Sequence, residues 1–163
     1  ELNLNIKNNF DYEISLLSPQ GLIRHLNKKS EICLKKLSLN ENFHGIDLIS
    51  YSDEENYYID KKYLFNYVKY IAVTLSERGA KIYSNYNKST KFNSYLPNVV
   101  IDPTGAGDIF ALYLLVYYYK TNSIEYAANI ANCAGSFVVE NLGINGIPTN
   151  QYVINRLNKI KNE

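Results

Sequence analysis

The stretch Asp102-Pro103-Thr104-Gly105-Ala106-Gly107-Asp108 constrains this chain more than any other. It sits between a short apolar run, Val99 to Ile101, and a longer one, Ile109 to Tyr119. The first reads as a strand. The second is too short to span a bilayer and reads as a buried helix. Two glycines and an alanine let the backbone approach a ligand without interference from side chains. At the start of a helix their amides direct unsatisfied N–H groups and the positive end of the helix dipole at one spot, which makes an anion site. Asp108 falls in the first helical turn, where the dipole favours its ionised form.

An anion site beside a fixed carboxylate suits phosphoryl transfer. The amides of Gly105, Ala106 and Gly107 would stabilise charge on the moving group, and Asp108 would accept the proton of an attacking hydroxyl. The bland alternative is a tight turn at Gly105 and Gly107 with Asp108 as a helix cap. A glycine turn alone leaves the two readings evenly matched. The pattern Asp-x-Thr-Gly-Ala-Gly-Asp, however, is expected by chance in on the order of one chain in 10⁵ of this length. The functional reading is therefore preferred.

Strand-like and helix-like stretches alternate along the rest of the chain. Tyr12 to Leu17, Ile46 to Tyr51, Ile71 to Leu75 and Ala80 to Ser84 read as strands, the last two paired across the Arg78-Gly79 turn. Lys61 to Lys69, Asp108 to Lys120, Ser123 to Glu140 and Asn150 to Ile160 read as helices, the last capped by Thr149 or Asn150. Ile32 to Leu37 fits either state. The alternation predicts an α/β layered sheet, with ligands gathered at the carboxyl ends of its strands.

Length and charge narrow the function classes. The 163 residues suffice for one domain, and no repeat or low-complexity linker divides residues 1–163. A net charge of +1 argues against nucleic acid as a partner. Cys33 and Cys133 lie far apart and read as free thiols of a reducing cytoplasm. His25 and His44 show no metal-ligand spacing. The polar, Asn-rich stretch from Leu2 to Asp11 is unlike a signal peptide, so a cytoplasmic protein without a membrane partner is expected. The chain starts at Glu1 and contains no methionine, from which we expect a segment of a longer protein.

The 102–108 stretch resembles the second signature of the ribokinase, or phosphofructokinase-B (pfkB), family of carbohydrate and nucleoside kinases. The likeness continues in the family's order. Ser18-Pro19-Gln20-Gly21-Leu22-Ile23-Arg24 looks like the PQGxxR segment of a subset that includes inositol kinases, where Arg24 would help form the active-site floor. Ser52-Asp53-Glu54-Glu55 falls at the NxxE motif, with Ser52 in place of asparagine. Val73 to Ala80 looks like the VTxGxxGA segment, with Ser76 in place of its first glycine. Leu142 to Thr149 resembles the family's late loop, and Asn132 matches a helix position lining the adenine pocket.

The resemblance implies a three-layer α/β/α sandwich of ribokinase type, lacking its amino-terminal part. It implies ATP-dependent phosphorylation of a hydroxyl on a sugar, cyclitol or nucleoside. Asp108 would be the base, and Thr74, Gly79, Asn132 and Gly143 would contact nucleotide. Glu55 would organise the hydration shell of Mg2+. Asp102 and Thr104, with carbonyls of the late loop, would hold K+, as in some members. A homodimer is allowed for. Rival readings are a non-catalytic adenine-nucleotide-binding module of the same descent and, more remotely, a dehydrogenase. The latter lacks the GxGxxG spacing it needs.

Overall fold

In the computed structural model, which describes residues 12–38 and 43–161, twelve strands and α-helices follow in order, apart from short 3₁₀ turns. They are β1 (Leu16–Leu17), α1 (Gln20–Ile23), β2 (Arg24–Leu26), β3 (Ile32–Leu34), β4 (Leu48–Ser52), α2 (Lys61–Leu64), β5 (Tyr70–Thr74), β6 (Ala80–Asn85), β7 (Lys88–Phe92), α3 (Ala106–Thr121), α4 (Ile124–Val138) and α5 (Asn150–Lys161). The stretch from Leu2 to Asp11 lies outside the described residues. Five strands form one sheet in the order β1-β4-β5-β6-β7. β1 runs parallel to β4, with Leu16 opposite Leu48. β6 and β7 are joined by only two residues, a connection that antiparallel strands alone can make. β2 and β3 form a separate antiparallel ribbon in which His25 faces Cys33.

The chain divides into two compact units. The first comprises the residues up to Val73 together with Ile82–Thr90. Its frame is β4 and β5, whose apolar residues are buried without alternation, the mark of strands covered on both faces. Leu48, Ile49 and Ile71 are fully buried there.

The second unit comprises Thr74–Lys81 and the residues from Lys91 onward. α3 buries Phe110, Tyr113, Leu114 and Tyr117 at helical spacing, and α4 offers Ala127, Ala128, Ala131 and Ala134. The small α4 side chains let these two helices approach closely. A methyl group on Gly135 of α4 would already lie 3.5 Å from the Ala106 carbonyl oxygen. α3 stops at Asn122, whose φ of 51° is left-handed, and Ser123 caps α4 by accepting the Tyr126 amide at 3.2 Å.

Several local readings differ from the structure, among them the strand expected over Tyr12 to Leu17, which is confined to Leu16–Leu17. Val99 to Ile101 is not a strand, because the Ile101 amide donates to the Val139 carbonyl at the end of α4 and not to a ladder. The helix beginning at Lys61 closes at Leu64 and continues as turns. β7 was not foreseen, since Lys88-Ser89-Thr90-Lys91-Phe92 buries only its last residue and has no apolar alternation to read. Among the described residues no helix is long and apolar enough to cross a membrane.

Candidate active site

The 102–108 loop turns into α3 at Gly105, whose φ of 85° is a conformation that glycine adopts without strain. The Ala106 amide donates back to the Pro103 carbonyl at 3.2 Å, and the Gly105 carbonyl accepts from Ile109 at 3.0 Å. The amides of Gly105, Gly107 and Asp108 meet no acceptor among the described residues. Gly107 is exposed, and a methyl group added there would find no heavy atom within 4 Å. An acid in a first helical turn commonly reaches back to cap the N-terminus. Asp108 does not. Its exposed carboxylate accepts no hydrogen bond from any described residue, and Gly105 has no side-chain cap.

Asp102 is committed where Asp108 is not. Thr104 donates its amide to Asp102 Oδ1 at 2.9 Å. The Thr104 hydroxyl and amide, with a further contribution from the Gly143 amide, hold this carboxyl below the usual carboxylate range. The main chain is fixed as well, since Ile101 and Asp102 both donate to the Val139 carbonyl, at 2.6 and 3.2 Å. Gly143 opens a short 3₁₀ turn, Gly143–Gly146, with a φ of 56°. A methyl group on Gly146 would lie 2.9 Å from Val138 Cα, so this turn packs hard on the end of α4. Asp102, Thr104 and Gly143 are thereby brought together.

Gly79 and Asn132 converge on the segment after β7. Gly79 has a φ of 88°, and a methyl group on it would lie 2.6 Å from the Ser94 nitrogen. Ser94 donates its hydroxyl to the Glu77 carbonyl, which latches the 76–79 turn to the same segment. The Asn132 side chain, buried, donates to the Phe92 carbonyl at 3.5 Å. Thr74 ends β5 and leads into this turn, half-buried. Ser76, in place of the family's glycine, keeps a left-handed φ of 54°.

Glu55 belongs to the first unit. It is buried, and its carboxylate accepts the Ser52 amide at 2.9 Å while the Ser52 hydroxyl accepts the Glu55 amide. This is a reciprocal capping box. Serine at position 52 is suited to that box. No group of three His, Cys, Asp or Glu side chains able to hold a metal occurs among the described residues. The carboxylates present fit a magnesium ion carried on nucleotide phosphates and met by the protein through water, the usual mode for Mg2+.

Two residues beside the loop carry no sequence signal. Glu140 accepts from Asn98 and from Arg156, and Arg156 reaches it from α5. These partners are far apart in sequence and match no motif.

The family described as pfkB family carbohydrate kinase matches residues 46–150. The nucleoside kinase of Methanocaldococcus jannaschii is 36% identical over 90 residues, covering 55% of this chain and 30% of that protein. Its crystal structure superposes with a TM-score of 0.66 at 28% identity, over 73% of this chain and 42% of that one. The inositol 3-kinase of Arabidopsis thaliana is 31% identical over 110 residues, 68% of this chain and 30% of that protein. A ribokinase from Thermotoga maritima, 19% identical, has the same fold with a TM-score of 0.71 over 95% of this chain and 52% of that one. The chain thus spans 30% of the length of the two curated relatives and about half of the ribokinase chain.

Proposed function

Because the chain belongs to the pfkB family of carbohydrate kinases, we propose that it carries the phosphoryl-transfer part of an ATP-dependent kinase acting on an alcohol of a sugar, cyclitol or nucleoside. The observation that carries this reading is an uncommitted carboxylate, Asp108, beside the uncommitted amides of Gly105 and Gly107 at the start of α3. A cap would have spent the carboxylate on those amides. A base and an anion cradle must keep both free until substrate arrives.

In the proposed reaction the acceptor hydroxyl gives its proton to Asp108 as its oxygen bonds to the terminal phosphorus of ATP. The bridging P–O bond breaks, and ADP leaves. A positioned base contributes roughly 10²–10⁴-fold to such a step. Amide donors aimed at developing charge contribute roughly 3–4 kcal/mol each. Gly105, Gly107 and the Asp108 amide are the free donors, and Ala106 keeps the loop tight through Pro103. Thr74 and Gly79 position the phosphates, and Asn132 lies near adenine. Gly143 contacts nucleotide, and Asp102 and Thr104, with carbonyls of the late loop, hold a monovalent cation. Bound Mg2+ would supply charge neutralisation on the phosphates, with Glu55 contacting its waters.

One observation favours a non-catalytic nucleotide-binding module instead: Glu55 is buried and already engaged by Ser52. The test is to incubate the full-length protein with MgATP and, separately, ribose, inositol and a nucleoside, following ADP and product mass. The kinase reading expects one acceptor to gain a phosphoryl group with matching ADP. Nucleotide binding without product from any acceptor supports the module.

A further inference from the structure

The carbonyls at the end of a helix lack intrahelical partners and must find donors elsewhere. At the end of α4 those donors come from the segment that feeds the 102–108 loop. Val139 accepts the amides of Ile101 and Asp102. Glu140, the next residue, accepts the Asn98 amide at 2.7 Å and the Asn98 side chain at 3.2 Å. Segment 98–102 belongs to no sheet, and these bonds to two adjacent residues are its main-chain anchors among the described residues.

Glu140 is itself held. Arg156 Nη2 donates to both of its carboxylate oxygens, at 2.8 and 3.0 Å. Arg156 Nη1 donates to the Ser136 hydroxyl at 2.8 Å, and that hydroxyl donates to the Cys133 carbonyl at 2.7 Å. The guanidinium lies 3.5 Å over the centre of the Phe137 ring. The paired side chains are only 14% and 11% exposed. Joining α5 to α4 does not require such a pair, since apolar contacts do that without the cost of desolvating two charges. What the pair adds is a carboxylate of fixed position, aimed at Asn98. The entry to the loop therefore refers to one point, the end of α4.

We propose that Glu140 and Arg156 are positioning residues, a clamp that sets the 102–108 loop against the end of α4 by way of Asn98, Ile101 and Asp102. The proposal rests on the kinase reading for its effect on rate but not for its effect on structure. Neither residue touches the reacting atoms. Their loss should therefore fall on kcat and not on substrate binding.

The test uses Glu140→Gln, Arg156→Met and Arg156→Lys in the full-length protein, with melting temperature, kinetics and amide hydrogen exchange measured on each. Misplacing a loop by a fraction of an ångström is expected to lower kcat by about tenfold, with KM for ATP and acceptor within about twofold of wild type. Arg156→Lys, which keeps the charge, should regain much of what Arg156→Met loses. The amides of Ile101 and Asp102 should exchange faster in Glu140→Gln while those buried between α3 and α4 do not. Folded variants whose kcat stays within about twofold of wild type would overturn the clamp. If the wild-type protein turns over no acceptor, the kinase reading fails by itself. The clamp is then decided by exchange: unchanged protection at Ile101 and Asp102 in Glu140→Gln refutes it, and if Glu140→Gln does not fold, unchanged protection in Arg156→Met does so.

Discussion

A methyl group added to Gly79 would sit 2.6 Å from the Ser94 nitrogen, whereas one added to Gly107 would meet no heavy atom within 4 Å. Gly79 also has a positive φ, and Gly107 does not. The two glycines of the proposed nucleotide site therefore answer to different demands. Gly107→Ala should fold with unchanged or slightly higher stability, because alanine is the better helix residue by up to about 1 kcal/mol. Its kcat/KM should nevertheless fall by roughly 10²-fold if its backbone faces the transferring phosphoryl group. A folded Gly107→Ala variant with near-normal turnover would remove the anion cradle. Gly79→Ala should instead lose stability, which a melting scan reads directly. Ser76 offers a third case. Its left-handed backbone costs a non-glycine residue about 1–2 kcal/mol, partly offset by the extra freedom a glycine must give up. Ser76→Gly is expected to raise stability by about 1 kcal/mol, measured by denaturant titration. A loss of stability would show that the serine side chain contributes something the backbone argument leaves out.

At the scale of elements, the loop between 102 and 104 and the turn Gly143–Gly146 make one claim testable by salt alone. Replacing potassium by a bulky organic cation at equal ionic strength should lower the turnover rate. Equal rates would dismiss the cation site and leave the kinase reading intact. The elements legible from sequence were those whose own residues state their environment. β4 and β5 are short, mostly apolar runs, interrupted in β4 by Ser50, and α3 and α4 bury residues at helical spacing. Val99 to Ile101 has strand-like residues, yet its amides serve the end of α4, a partner that local composition does not reveal. β7 is the converse, a strand of mostly exposed polar residues made by its hairpin connection to β6. The candidate site divides the same way. Asp102 to Asp108 stand out in the sequence because their residue types and order resemble a family signature. Glu140 and Arg156 do not, because an ion pair between helices imposes no spacing on the chain.

For the molecule as a whole, the limiting fact is coverage. The chain spans 30% of its two curated relatives, and these act on different acceptors by name, a nucleoside in one and inositol in the other. The residues proposed to act serve the transfer step and the nucleotide. None of them distinguishes a ribose from a cyclitol. Acceptor choice is therefore a property to be measured on the full-length protein, and the transfer step is the claim this chain can answer for. That claim rests on one carboxylate. Asp108→Asn keeps the size of the side chain and removes its ability to take a proton. With whichever acceptor the wild-type protein phosphorylates, the variant should lose roughly 10²-fold or more in kcat while binding ATP within a few-fold of wild type. Turnover within a few-fold of wild type would contradict the assignment of Asp108 as the base.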